Sequence, residues 1–156
     1  MTRHNDNHVK ILFRYFSKVL DKWMAETMWA EIVSVDKGHY RIANIPFYGP
    51  PVASGDVVFA EYDEDEKIIT YRETVEYSGN SIITVVMMDK TKDINDIRGI
   101  FNKLGCSSER FGDGYFSMEV LASQDYTPIK QKLSELRDKG IIDYAEPYLS
   151  GRHQYS

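Results

Sequence analysis

Apolar and polar side chains alternate with a period of two through much of the first eighty residues, the pattern of half-buried strands. Val9, Ile11, Phe13 and Tyr15 share one face and Lys10, Leu12, Arg14 and Phe16 the other, which predicts a first strand over Val9 to Phe16. Met28 to Val35 alternates again, and Asp36-Lys37-Gly38 turns it into His39 to Ala43 as a hairpin. Val57 to Tyr62 and Lys67 to Glu73 form a second hairpin around the acidic turn Asp63-Glu64-Asp65-Glu66, with Thr74 to Tyr77 continuing its return strand. Between the first two strands, Val19, Leu20 and Trp23 at one-turn spacing predict a short helical turn or a long loop over Ser17 to Thr27. The ladder breaks at Asn44-Ile45-Pro46, because proline donates no backbone hydrogen bond. Phe47 and Tyr48, the stiff bend Gly49-Pro50-Pro51 and the turn Ser54-Gly55-Asp56 then make a barrel corner.

Past the turn cluster Ser78-Gly79-Asn80-Ser81 the period changes. Ile82 to Met88 is an almost unbroken apolar strand. Asp93 then stands at an N-cap position before Ile97, Ile100, Phe101 and Leu104, which mark a helix that Gly105 ends. Ser107 to Phe111 and Tyr115 to Leu121 flank Gly112-Asp113-Gly114 as a hairpin. Thr127 as cap, Pro128, and the stripe Ile129, Leu133, Leu136 predict a second helix up to Gly140, and Ile141 to Tyr148 closes as a strand. The expected fold class is therefore α+β: a small antiparallel β-barrel, SH3-like or OB-like, over residues 8–79, then a ferredoxin-like βαββαβ domain over residues 80–150. The polar ends, residues 1–7 and 151–156, are expected to fray.

Composition narrows the function classes. An apolar content of 42% with 13% aromatic residues suits a chain that buries a real core, and neither disorder nor a membrane span fits it. Net charge is -5, and residues 1–80 carry 9 Lys and Arg against 13 Asp and Glu, so nucleic acid would be repelled rather than recruited. Cys106 is the single cysteine, which excludes an internal disulfide and a cysteine-clustered metal site. The polar start MTRHNDNH has no apolar stretch behind it, and no run approaches the roughly 18 apolar residues that span a bilayer. A cytoplasmic protein with no cofactor is the expectation.

Candidate chemistry is sparse. His4, His8 and His153 fall in the ends; His39 is internal and faces Glu31 or Asp36 at best, without a nucleophile, so a solvated turn is the better reading. Cys106 follows a helix end, where no helix N-terminus activates a thiol. The acidic turn lacks the glycine and spaced oxygen ligands of a calcium loop. No catalytic residue and no metal ligand is expected. The segment Asp113 to Val120 has the place of an RNA-recognition strand, yet an acid stands where a cation is wanted and Glu119 shares the face of Tyr115 where a second stacking ring belongs. Carboxylates on a rigid turn suit a basic protein partner, and exposed tyrosine supplies contact area at low entropic cost. Asp63, Glu64, Asp65, Glu66, Tyr115 and Glu119 are the expected partner-binding residues.

Trp29-Ala30-Glu31, Asn44-Ile45-Pro46-Phe47, Gly55-Asp56-Val57-Val58 and Ser78-Gly79-Asn80 together resemble a family of small bacterial proteins of unknown function that repeats W-A-E, N-I-P-F, G-D-V-V and S-G-N at this spacing. The resemblance implies a bacterial, cytosolic protein and carries over no catalytic residue. A non-catalytic binding protein follows, an immunity or antitoxin-type protein that neutralises a bacterial toxin by occluding a basic toxin domain. The alternative expectation is a regulator that senses a small molecule or nucleotide.

Overall fold

A computed structural model describes residues 7–17, 21–47 and 50–154. His4, Val19 and Leu20 of the expected helical turn, and Tyr48 and Gly49 of the expected corner, lie outside the described residues, as do the rest of residues 1–6 and residues 155–156. The chain divides into two compact units, one ending at Ser78 and the other beginning at Gly79.

The first unit is a closed barrel of β1 (His8–Ser17), β2 (Lys22–Ser34), β3 (His39–Ile42), β4 (Val57–Asp63) and β5 (Ile68–Glu76), in that order. Neighbours are antiparallel except at the seam, where β1 runs parallel to β5 with Leu12 opposite Thr70. Alternation turns Ile11 and Phe13 of β1, Met28 and Ala30 of β2, Tyr40 and Ile42 of β3, and Val58 and Ala60 of β4 into one core, and each large side chain removed from water stabilises by about 1.5–3 kcal/mol. Phe13 stacks on Tyr71 of β5 with ring centroids 4.9 Å apart. The β2–β3 turn depends on Gly38: its φ is +70° and an added Cβ would stand 2.9 Å from the Ala60 carbonyl oxygen, so the turn has room only for glycine.

The stretch expected as a helical turn or loop over Ser17 to Thr27 is strand at Ser17 and from Lys22 onward, with Asp21 in the turn between. Phe16 pairs with Trp23 and Ser17 with Lys22 as β2 runs back along β1. Its inward row includes Glu26, whose buried carboxylate accepts the Phe47 N–H at 2.8 Å. An inward acid beside an outward tryptophan inverts the usual signature of a strand, which is why periodicity misses it.

The second unit runs β6 (Ser81–Met87), α1 (Ile94–Lys103), β7 (Ser108–Phe111), β8 (Tyr115–Val120), α2 (Thr127–Asp138) and β9 (Ile142–Tyr148), with the strands in the order β7-β8-β6-β9, all antiparallel. Ile83 and Val85 of β6 and Phe116, Met118 and Val120 of β8 pack with Phe101 of α1 and with Ile129 and Leu133 of α2. Asp93 caps α1 by accepting the Asn95 N–H at 2.8 Å. On α2 the cap position belongs to Tyr126 rather than Thr127, and Asp125 accepts the Thr127 N–H at 3.0 Å. The tail expected to fray forms a 3-10 turn at Gly151–His153, with His153 buried.

Strands hold 47% and helices 17% of the described residues, so the expected α+β class with a ferredoxin-like second half is corrected to a mostly β chain of two antiparallel sheets and two helices. The balance follows from local chemistry: the helices span only 10 and 12 residues, and the stretch before Met28, expected as a short helical turn or a long loop, is largely part of β2. Among the described residues no helix is long and apolar enough to cross a membrane.

Candidate functional site

The stretch around the barrel corner is scaffold. Asn44 Oδ1 accepts the Trp29 N–H as the chain leaves β3, and Glu26 takes the Phe47 N–H. Asp56 is fully buried; one oxygen accepts the Ala53 N–H at 3.0 Å and the other the Ser78 N–H at 2.9 Å, while the Ser78 hydroxyl donates to the Ser54 carbonyl at 2.8 Å. Each polar side chain here satisfies a backbone group that lacks a strand partner on that side, which accounts for the segment without a ligand.

The acidic turn between β4 and β5 splits into two kinds of carboxylate. Asp63 Oδ1 accepts the N–H groups of Asp65 and Glu66 at 2.9 and 3.0 Å, and its Oδ2 meets Arg72 at 3.0 Å. The Glu66 amide first, and then the Arg72 guanidinium, hold the Asp63 carboxyl below its ordinary range. Glu66 is tied to Arg14 at 2.7 Å. Glu64 and Asp65 remain exposed at the tip. Lys67 closes the turn at φ +59°, a left-handed conformation that costs a side-chain-bearing residue about 1–2 kcal/mol. Lys67→Gly is accordingly expected to raise stability by about 0.5–1 kcal/mol in a denaturant titration, and an unchanged or lower midpoint would show that the turn carries no strain.

Arg14 joins this turn to an aromatic pair. Beyond its bond to Glu66, its guanidinium lies 5.9 Å from the Trp23 ring, and Trp23 meets Phe16 edge-on at 5.9 Å. Trp23 is 65% and Phe16 46% exposed, and Tyr62, next to Asp63 in sequence, is also exposed. The sequence reading missed Phe16 and Trp23 as surface residues; two large rings outside the inward row of a hairpin were the available signal.

The other expected residues lie elsewhere. Tyr115 and Glu119 sit on β8 and alternate with the core residues Phe116, Met118 and Val120; both are half-buried, and the Tyr115 ring is 6.0 Å from Phe111. Across β2 and β3, Glu31 pairs with Arg41 at 3.3 Å rather than serving His39. The Cys106 thiol is pushed up to about 11, by burial first and then by Glu119, and stays protonated at neutral pH. Among the described residues no group of three or more His, Cys, Asp or Glu side chains is arranged to hold a metal ion.

His153, assigned to a frayed end on sequence, is instead the anchor of the tail. Its Nε2 lies 3.0 Å from the Leu121 carbonyl, which can only accept, so Nδ1 is left to accept the Ser81 hydroxyl at 2.6 Å. Ser81 Oγ in turn accepts the Ser150 N–H at 2.9 Å. A serine and a histidine at this distance suggest a nucleophile and its base, yet Ser81 is fully buried and its oxygen is engaged on two sides. The pair staples the tail to β6.

A crystal structure described as "Novel crystal structure of a hypothetical protein from Neisseria gonorrhoeae" is similar to this chain at a TM-score of 0.79 and 21% identity, over 94% of this chain and 99% of that one. At that identity the likeness shows the fold alone. No curated protein matches the chain. A family model does match, over residues 26–144, and the chain belongs to that family, described as Domain of unknown function (DUF4265).

Proposed function

We propose that the protein is a non-catalytic binding protein of the immunity or antitoxin type, which neutralises a bacterial toxin in the cytoplasm by occluding a basic domain. The observation that supports this reading is the surface around Arg14, where exposed Trp23 and Phe16 adjoin an acidic turn whose Glu64 and Asp65 are exposed. Aromatic anchors flanked by charge are the composition of interface hot spots, and rim carboxylates steer a basic partner. In this reading the W-A-E, N-I-P-F, G-D-V-V and S-G-N stretches are the family's scaffold, and the recognition surface lies outside them.

Affinity capture with the whole chain, run beside Trp23→Ala, tests the proposal. The captured protein should be basic, should arrest growth when expressed alone and should be relieved by co-expression of this chain. Trp23→Ala is expected to weaken the complex by about 2 kcal/mol or more, some thirtyfold, while shifting stability by about half a kcal/mol or less. Glu64→Lys with Asp65→Lys should slow association about tenfold at low salt and remove its salt dependence; Asp63 and Glu66 are left in place because they hold the turn. A captured partner that is harmless, or one that binds Trp23→Ala as tightly as the parent, would overturn the proposal.

A further inference from the structure

The C-terminal turn closes a pocket of about 230 Å³ in the second unit. Tyr126 and His153 line it, both nearly fully buried, their rings tilted 57° to each other with centroids 5.9 Å apart. Lys130, Gln131, Arg152 and Gln154 stand around the rim. Two residues of the turn that the sequence marks as a boundary, Gly79 and Ser81, meet lining residues, and Asn80 between them holds the nearby Ala122. Gly79 has φ +85° and no side chain, so the stem of Arg152 lies against it; an added Cβ would stand 3.2 Å from Cδ and Nε of Arg152. Asn80 Oδ1 accepts the Ala122 N–H at 2.9 Å. Ser81 fixes the His153 ring.

Most of the polar groups facing the pocket are already engaged. Lys130 pairs with Glu146 at 3.2 Å and lies 4.8 Å from the Tyr144 ring, and the Tyr126 hydroxyl donates to Glu146. Gln154 donates to the Leu149 carbonyl at 2.9 Å, and Asp125, the acid of the lining, accepts the Thr127 N–H. Arg152 has no carboxylate partner among the described residues. A guanidinium prefers a planar, bidentate anion such as a carboxylate.

We propose that this pocket binds a small carboxylate, whose carboxylate sits on Arg152 and whose body lies within the pocket. The pocket is below the usual size for drug-like ligands, which keeps the ligand to a single ring or its equivalent. The site is independent of the surface around Arg14, so its failure leaves the binding-protein reading untouched, and the converse holds too.

The probe is benzoate, with benzamide as the neutral compound of the same shape, titrated into the isotopically labelled whole chain at matched ionic strength. Benzoate is expected to shift the amides of Tyr126, Arg152, His153 and Gln154 saturably in the millimolar range, and benzamide to bind at least tenfold more weakly. Arg152→Gln should bring benzoate down to the affinity of benzamide. Should that variant fail to fold, Arg152→Lys, which keeps the charge and loses the fork, should bind benzoate several-fold more weakly than the parent. The absence of saturable shifts at tens of millimolar benzoate would overturn the proposal. So would saturation at other residues, equal binding of the two probes, or a folded Arg152 variant that binds benzoate as the parent does.

Discussion

Asp56→Ala is expected to lower the free energy of unfolding by about 3–5 kcal/mol, because it strips the side-chain acceptor from two backbone N–H groups in a buried site. The carboxylate bonds Ala53 with one oxygen and Ser78 with the other, and is itself fully buried. Alanine fills none of that space and leaves both donors without a partner, so the loss exceeds that of an ordinary exposed hydrogen bond. Asp56→Asn keeps one acceptor oxygen and should retain about half of the effect. Equilibrium denaturation of the parent and both variants measures it; a loss below about 1 kcal/mol for Asp56→Ala would mean that water substitutes for the carboxylate and the corner is less dry than its burial indicates.

Phe116→Ala should cost about 3–5 kcal/mol by a different route, the cavity left when a ring is removed from a packed core. Phe116 is fully buried, 6.4 Å from Phe101 between ring centroids, and lies among Val85, Met118 and Leu133 in the core of the second unit. The core of the barrel is made of other residues. Hydrogen exchange should therefore show lost protection at the amides of β6, β8 and α1 while those of β1 to β4 keep theirs. Equal loss across both sets would show that the two cores unfold as one.

The strands and helices that periodicity could read are those whose inward rows are apolar. Ile11, Phe13 and Tyr15 gave β1, and Asp93 with Ile97 and Phe101 gave α1. Where a polar side chain points inward to satisfy the backbone of a distant segment, the local pattern carries no trace of it. Glu26 serves Phe47, and His153 serves Leu121 and Ser81, so the start of β2 and the C-terminal turn were both misjudged as loop or loose end. The class assignment failed elsewhere, in the second half, where the two helix patterns were read as half of a ferredoxin-like domain although the chain as a whole is mostly strand. The acidic turn was legible as a surface feature, because a run of four acids cannot be buried. That Asp63 and Glu66 are committed to Arg72 and Arg14, and that Arg14 leads on to Trp23, depends on contacts far apart in sequence.

The parallel seam between β1 and β5 also bears on how the barrel assembles. Antiparallel neighbours can zip from the turn that joins them, but parallel strands have no such turn, so their meeting must wait until the chain between them has been gathered in. Leu12 and Thr70 stand near opposite ends of the first unit's sequence and are the one registered pair across the seam among the described residues. The loop-closure entropy of the whole meander thus falls on this junction, which places the barrel among slow-folding, high-contact-order topologies. The same arithmetic run backwards leads us to expect the β1–β5 edge to part first with the hairpins on either side still intact, which faster amide exchange in the facing stretches of β1 and β5 than in β2 to β4 would show.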